Sequence, residues 1–399
     1  MKLHFSESIQ QLKTLATREI LKLTQGNDII SFAGGLPAED FFPEKAIQEA
    51  FTKVFEQGKN SLQYGITEGH TPLREEICKR MLLKGIQANL DQIQITTGSQ
   101  QAIDLISKVF INPGDTILIE NPTYLAALQV FQGYGANVVE VSSDDDGMDL
   151  NDLTQKINHF QPKFIYVTPT FANPTGRVWS SERKQGILQI CKEFETILIE
   201  DDPYGEIQFN KAADYSSIYS LHSTNDFNPV LYTSTFSKIV APALRTGWVI
   251  GDQRIIQQIT KAKQTADIHS SMIDQQALYF LLKDFDLDQH IISICNEYKL
   301  RKEKMTHLLH QYEIPAKCIE PQGGMFLWLT MEDSTINSAE LLKRAVQNGV
   351  AFVPGTVFYT GEAEKNTMRL NFTYTGVEQM EVGIQRLQHV FSSTSNPQY

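Results

Sequence analysis

From about Gln92 onward the chain repeats one pattern, a short apolar run rich in β-branched residues followed by a helical stretch. The runs fall at residues 93–96, 116–119, 137–141, 164–167, 196–200 and 229–233, and Leu244 with Trp248, Val249 and Ile250 suggests one more. Strands apolar on both sides need cover on both sides. The alternation therefore predicts an α/β fold whose mostly parallel sheet carries helices on both faces. After residue 275 the pattern changes. A long helical segment runs over 288–311, a mixed region contains Gly324 to Leu329, and Met380, Ile384, Leu387 and Phe391 space a closing helix over 378–391. Before the sheet, an amphipathic stretch over 9–23 and the extended residues 29–37 form an arm. The expected division is an arm at 1–44, a large unit at 45–275 and a smaller α+β unit at 276–399, completed by the arm.

A chain of 399 residues is long enough for such a two-part body with a cleft between the parts. Its formal charge of −12 argues against a nucleic-acid partner, which needs clustered lysine and arginine. No apolar run reaches membrane-spanning length, and the opening residues lack a signal-peptide core, so the expected location is the cytoplasm. Cys78, Cys191, Cys295 and Cys318 are far apart and are expected to be buried free thiols. The histidines are equally scattered, and no metal site is predicted.

The chemistry-bearing residues lie where strands give way to loops, the place where open α/β sheets gather ligands. Lys238 closes Thr235-Phe236-Ser237-Lys238 between two apolar runs, with Arg245 and Gly247 after it. Burial would lower its pKa and free an amine for Schiff-base chemistry. The nearby hydroxyls and Arg245 suit a phosphate monoester. Lysine and phosphate site together suggest pyridoxal phosphate; a strand-end lysine paired with a carboxylate is the plainer reading. Ser99, in Thr97-Gly98-Ser99-Gln100-Gln101, stands where backbone N–H groups can receive a phosphate, or is a simple helix cap. Glu200, Asp201 and Asp202 end one strand, and chemistry alone does not choose which would face a pyridine nitrogen. Asn173 begins Asn173-Pro174-Thr175-Gly176, a turn signal that can also place an amide beside a phenolate oxygen, with Tyr204 as second donor. Arg369 sits in an apolar β-like run, where it can bind an α-carboxylate or an internal acid.

In this order and spacing the motifs resemble the fold type I, class I pyridoxal-phosphate-dependent aminotransferases, over nearly the whole chain from about Arg18. The resemblance implies that Lys238 carries the cofactor as a Schiff base and moves the proton between Cα and C4′. It selects Asp201, through Asp-x-Pro-Tyr, as the partner of the pyridine nitrogen. Asn173 and Tyr204 would bond the ring oxygen, and Tyr124, in Asn121-Pro122-Thr123-Tyr124, would stack on the ring. Ser99, Gln100, Ser237 and Arg245 would hold the phosphate, with Thr235 where many relatives carry serine. Tyr64 would reach the phosphate of a neighbouring subunit, which implies a homodimer. Arg369 would bind the substrate α-carboxylate.

The segment around Arg18, followed by Ser31-Phe32-Ala33-Gly34-Gly35-Leu36-Pro37, is similar to the 2-aminoadipate aminotransferase and kynurenine aminotransferase II branch. That likeness implies an N-terminal helix covering the substrate, Arg18 pairing with acidic side chains, and Gly34 and Gly35 at the substrate. The implied reaction is ping-pong transfer of the α-amino group of 2-aminoadipate, glutamate, or aromatic or branched amino acids to a 2-oxo acid, 2-oxoglutarate in that branch. Two other readings keep the fold: β-elimination from cysteine conjugates, and the effector domain of a transcription regulator. The arm before Gly34 is too short for that regulator's helix-turn-helix domain.

Overall fold

A computed structural model describes residues 3–12, 19–20, 22, 28–223 and 226–392. Its centre is a seven-stranded sheet. Taken with the short arm strand β1 (Ile30–Ser31), the strands in chain order are β2 (Ile93–Thr96), β3 (Thr116–Glu120), β4 (Asn137–Val141), the hairpin β5 (Ser143–Asp144) and β6 (Gly147–Met148), β7 (Phe164–Val167), β8 (Ile197–Asp201), β9 (Val230–Thr235) and β10 (Gly247–Ile250). The central sheet has the order β2-β10-β9-β8-β7-β3-β4. Six of its strands point the same way, and five of them, β4, β3, β7, β8 and β9, pair in parallel side by side. Strand β10 is antiparallel to both β9 and β2, because the connection from Thr235 to Gly247 is too short for a crossover.

The pleat sorts the apolar residues to two sides. Ile165, Val167, Leu198, Val230, Tyr232, Trp248 and Ile250 join one core; Phe164, Tyr166, Ile199, Leu231 and Val249, their alternate neighbours, join the other. Helices Gly98–Phe110, Leu125–Gly133 and Gln253–Ala266 cover the second side through Ile103, Ile106, Phe131 and Ile259. Helices Thr71–Leu83 and Ser181–Glu193 help cover the first through Ile77, Met81, Ile187 and Leu188. Two-sided burial accounts for the continuous apolar runs in the sequence.

Helix Leu287–Gln311 leads to a four-stranded antiparallel sheet, β11 (Ala316–Ile319), β12 (Phe326–Met331), β14 (Val353–Pro354) and β15 (Thr367–Asn371), in the order β11-β12-β15-β14. The two-residue strand β13 (Val350–Ala351) instead receives β1 in parallel, and the arm continues by bonding Phe32 N to Ala351 O at 2.8 Å and Phe32 O to Asn371 N at 2.8 Å. These bonds deliver Gly34 and Gly35 to the carboxyl ends of the large sheet. The closing helix is Val377–Ser392.

Three expectations need correction. Leu244 does not belong to a strand: Pro242 opens a tight turn over Pro242–Leu244, Arg245 takes a left-handed backbone at φ 45, and β10 begins at Gly247. The amphipathic stretch over 9–23 is not one helix, since helix Glu7–Gln11 closes at an extended Leu12 whose side chain packs beside Gly133. Its residues 13–18, 21 and 23 lie outside the described residues. Cys191 and Cys295 are buried free thiols, but Cys78 and Cys318 are only partly so.

Ile165 is fully buried on the interior strand β7. Ile165→Ala removes that packing and is expected to cost about 2–5 kcal/mol, read as a lowered urea midpoint.

Candidate active site

Three consecutive carboxylates at the end of β8 take three directions. Glu200 accepts the backbone N–H groups of Ile218 and Tyr219, both at 2.9 Å, and burial pushes its pKa up to about 7. Asp202, on the same side of the pleat, pairs with Lys84 at 2.6 Å and accepts the Tyr232 hydroxyl at 2.8 Å. Burial pushes the Asp202 carboxyl up, but Lys84, with help from Tyr232 and Lys184, outweighs it and holds the carboxyl below its usual range. Asp201 points the other way. Its Oδ2 accepts the Tyr166 hydroxyl at 2.7 Å, while its buried Oδ1 has no hydrogen-bond partner. Burial raises its pKa to about 7, with Asp202 adding to the rise.

Asp201 lines a cavity of about 270 Å³. Of the fifteen site residues expected from the sequence, thirteen also line it: Gly34, Gly35, Ser99, Gln100, Tyr124, Asn173, Asp201, Tyr204, Thr235, Ser237, Lys238, Arg245 and Arg369. Tyr64 does not; it is 77% exposed on its own chain, edge-on to His269. Arg18 lies outside the described residues.

One end of the cavity is built for an anion. Helix Gly98–Phe110 opens there with a Thr97 whose hydroxyl is turned to Ser270 Oγ at 2.8 Å and caps none of the first N–H groups, which leaves them and the helix dipole for the site. Gly98 has φ +72, and any Cβ there would strike the Arg245 guanidinium. Arg245 bonds Ser237 Oγ at 3.3 Å and the Pro242 carbonyl at 3.2 Å, and Ser237 Oγ shares a hydrogen with Thr235 Oγ1 at 2.9 Å. Two hydroxyls, one guanidinium and a helix N-terminus thus converge. The Tyr124 hydroxyl donates to Gln100 Oε1 at 3.3 Å, which ties the tyrosine to the same helix.

Lys238 ends the tight turn Phe236–Lys238 and donates Nζ to the Gly35 carbonyl at 2.8 Å. Burial, helped by Arg369 and Arg245, lowers its pKa to about 8. Arg369, on β15, lies across the cavity, where its guanidinium stacks 4.2 Å from the Phe326 ring centre and 5.1 Å from that of Phe358. It donates to Asn173 Oδ1 at 2.6 Å and the Ala33 carbonyl at 2.7 Å, and its Nε is buried without a partner. Burial lowers its pKa to about 10. Tyr204 bonds the Asn173 side chain, so Asn173 joins the phenol to the arginine.

Sequence reasoning passed over Tyr166, Thr168, Leu125, Pro242 and Phe358. All but Tyr166 line the cavity directly. Thr168 is fixed from behind by the buried Glu120, which accepts its N–H and its hydroxyl, each at 2.6 Å. Among the described residues there is no cluster of metal-ligating side chains, and no helix long and apolar enough to cross a membrane.

Removing Lys84 leaves Asp202 buried and uncompensated, so Lys84→Met is expected to cost about 3–5 kcal/mol at neutral pH. Because the folded-state pKa of Asp202 is depressed, its stabilisation is present above its unfolded pKa and is lost as pH falls through the folded value. The stability gap between wild type and Lys84→Met should therefore narrow in strong acid, as followed by denaturation at a series of pH values.

Residues 27–387 match the family described as aminotransferase class I and II. The aromatic-amino-acid aminotransferase 1 of Thermococcus litoralis is 39% identical over 393 residues, covering 96% of this chain and 93% of the relative. The 2-aminoadipate transaminase of Thermus thermophilus is 34% identical over 386 residues, covering 96% and 95%. The crystal structure of Pyrococcus horikoshii kynurenine aminotransferase, in complex with PMP, superposes with a TM-score of 0.91 at 39% identity and 98% coverage of each chain. The chain belongs to the class I and II aminotransferases, enzymes of the pyridoxal-phosphate-dependent fold type I.

Proposed function

We propose that the cavity holds pyridoxal phosphate on Lys238 and transfers α-amino groups between amino acids and 2-oxo acids in two half-reactions. One observation carries this reading: a single cavity contains a lysine amine with a pKa brought down to about 8 and a buried carboxylate oxygen that lacks a partner. The donors fit the group. The phosphate would lie against Ser99, Gln100, Thr235, Ser237, Arg245 and the N-terminus of helix Gly98–Phe110. Tyr124 would cover the ring face, Asn173 and Tyr204 would meet the ring oxygen, and Asp201 Oδ1 would meet the ring nitrogen. A cation at that oxygen would return Asp201 to its charged form. When bound, the cofactor supplies an electron sink for the pair left on Cα.

The protein's own part is binding, orientation and proton transfer. Arg369 presents its fork to the substrate α-carboxylate, and its fixed position sets the direction of the Cα–H bond. Lys238 Nζ, once free as an amine, would take the Cα proton and hold it for return in the next step. Asp201 would hold a negative charge at the ring nitrogen and so favour its protonated form. Gly34 and Gly35 leave room at the substrate, and Tyr64 reaches the phosphate of a second copy in a homodimer. Arg18 receives an acidic side chain and leaves space for aromatic or branched ones when it swings away. The relatives' names support 2-aminoadipate and aromatic amino acids as donor classes, and the proposed acceptor is 2-oxoglutarate. The division into an arm, a large unit and a C-terminal unit belongs to the same reading.

The deciding measurement is the visible spectrum of the purified protein with pyridoxal phosphate, before and after adding 2-aminoadipate, leucine or phenylalanine. A bound band that bleaches with an amino acid and no 2-oxo acid supports the reading. No band with wild type, or repeated turnover by Lys238→Ala, would refute it. Formation of the band requires the free amine, so its rate should rise with pH and level off above about 8, instead of near the ~10.4 of an ordinary lysine. Arg369→Lys loses the bidentate fork and should lower kcat/KM by about 100-fold for every amino acid. Arg18→Ala should weaken 2-aminoadipate selectively, measured against phenylalanine under the same conditions.

A further inference from the structure

Tyr166 is absent from the cavity wall, yet it controls the one carboxylate that matters there. The residue is fully buried on β7, and register pairs it with Ile199 on β8. Asp201 stands one pleat beyond Ile199 on the same side, within reach of the long phenol. The hydroxyl meets Oδ2 at 2.7 Å, which leaves Oδ1 without a partner. The ring is itself locked: Phe131 packs edge-on to it at 5.4 Å and edge-on to Phe164 at 5.5 Å. Phe131 belongs to helix Leu125–Gly133, whose cap residue is Tyr124. The face of the cavity that carries Tyr124 and the floor that carries Asp201 are therefore joined through one phenol ring.

We propose that Tyr166 is a positioning residue that fixes the rotation of the Asp201 carboxylate, so that Oδ1 alone is presented to the ring nitrogen, and that stabilises its charged form by donating to Oδ2. This rests on the cofactor reading above. A hydroxyl donating to a carboxylate favours its ionised state, whereas burial and the neighbouring Asp202 favour the neutral one. The other titratable groups facing the pair are Tyr124, Glu120 and Tyr204, whose phenol burial drives up. Burial drives the Tyr124 phenol up to about 12, and Glu120 is occupied by Thr168 and Trp179. Tyr166 is thus the group whose donated hydrogen opposes the neutralisation of Asp201.

The test uses Tyr166→Phe, which keeps the ring against Phe131 and removes one oxygen; melting curves check that it folds. In the cofactor-free protein, isotope-edited infrared spectroscopy of aspartate carboxyls, assigned with Asp201→Asn, follows the protonation of Asp201 with pH. The proposal expects Asp201 to titrate at higher pH in Tyr166→Phe than in wild type. In the loaded protein it expects kcat to fall about 10- to 100-fold with KM for the amino acid nearly unchanged, and the visible band to change its pH dependence. An unaltered Asp201 titration together with kcat within twofold of wild type would overturn it. Failure of wild type to bind the cofactor would remove the reading beneath it, while the infrared titration would still report whether Tyr166 sets the charge of Asp201.

Discussion

The site depends on the two-residue period of strand β8. At its end stand three acids that no local rule distinguishes, and the pleat sends alternate ones to opposite sides of the sheet. Glu200 and Asp202 then meet donors on that side: two backbone N–H groups for one, an ammonium and a phenol, both at Oδ2, for the other. A buried carboxylate oxygen without a partner is costly; Asp201 Oδ1 and Asp202 Oδ1 both lack one, and of the two carboxylates only Asp201 lines the cavity. A slip of one residue in the register between β7 and β8 would point Asp202 into the cavity and bury Asp201 against Lys84. The fully apolar flanks of these strands, packed on two distinct cores, forbid that slip.

Arg369 ties the second half of the site to the first. Its guanidinium is held by stacking on Phe326 and Phe358, by the Ala33 carbonyl from the arm, and by Asn173 from the loop after β7. Four separate stretches of chain must be in place before its fork is directed into the cavity. Burial of so strong a base with one nitrogen unpartnered is unfavourable, which is why its pKa falls toward 10. An incoming carboxylate relieves that cost.

Most of this was legible in the sequence where chemistry and strand ends coincide. Lys238, Asn173, Arg245 and Arg369 are polar residues set inside or just after apolar runs, and such contrast is a local signal. Tyr166 gives none: within Phe164-Ile165-Tyr166-Val167 it reads as one more apolar strand residue. Its importance comes from the neighbouring strand's register, which pairs residues more than thirty positions apart. Glu120 and Thr168 were invisible for the same reason. The fate of Leu244 was misread because an apolar residue before an apolar strand suggests continuity, while Pro242 and the left-handed Arg245 impose a turn that only the packing of Arg245 on the start of helix Gly98–Phe110 explains.

The electrostatic balance inside the cavity bears on why the lysine is usable. Lys238, Arg245 and Arg369 face a single carboxylate, Asp201, whose own charge is weakened by burial. The excess of positive charge sits within a protein of net charge −12, so the local field at the cavity opposes the field of the whole. Two consequences follow from the same arrangement. Burial and then the arginines push Lys238 toward its neutral, nucleophilic form, and the same arginines leave the cavity with positive charge that a phosphate and an α-carboxylate would meet. Meanwhile the lysine donates to the Gly35 carbonyl, so the arm that borders the substrate space also keeps the amine oriented until a better electrophile arrives. Anion binding and amine activation are thus consequences of one charge distribution, and a substitution that relieved one would weaken the other.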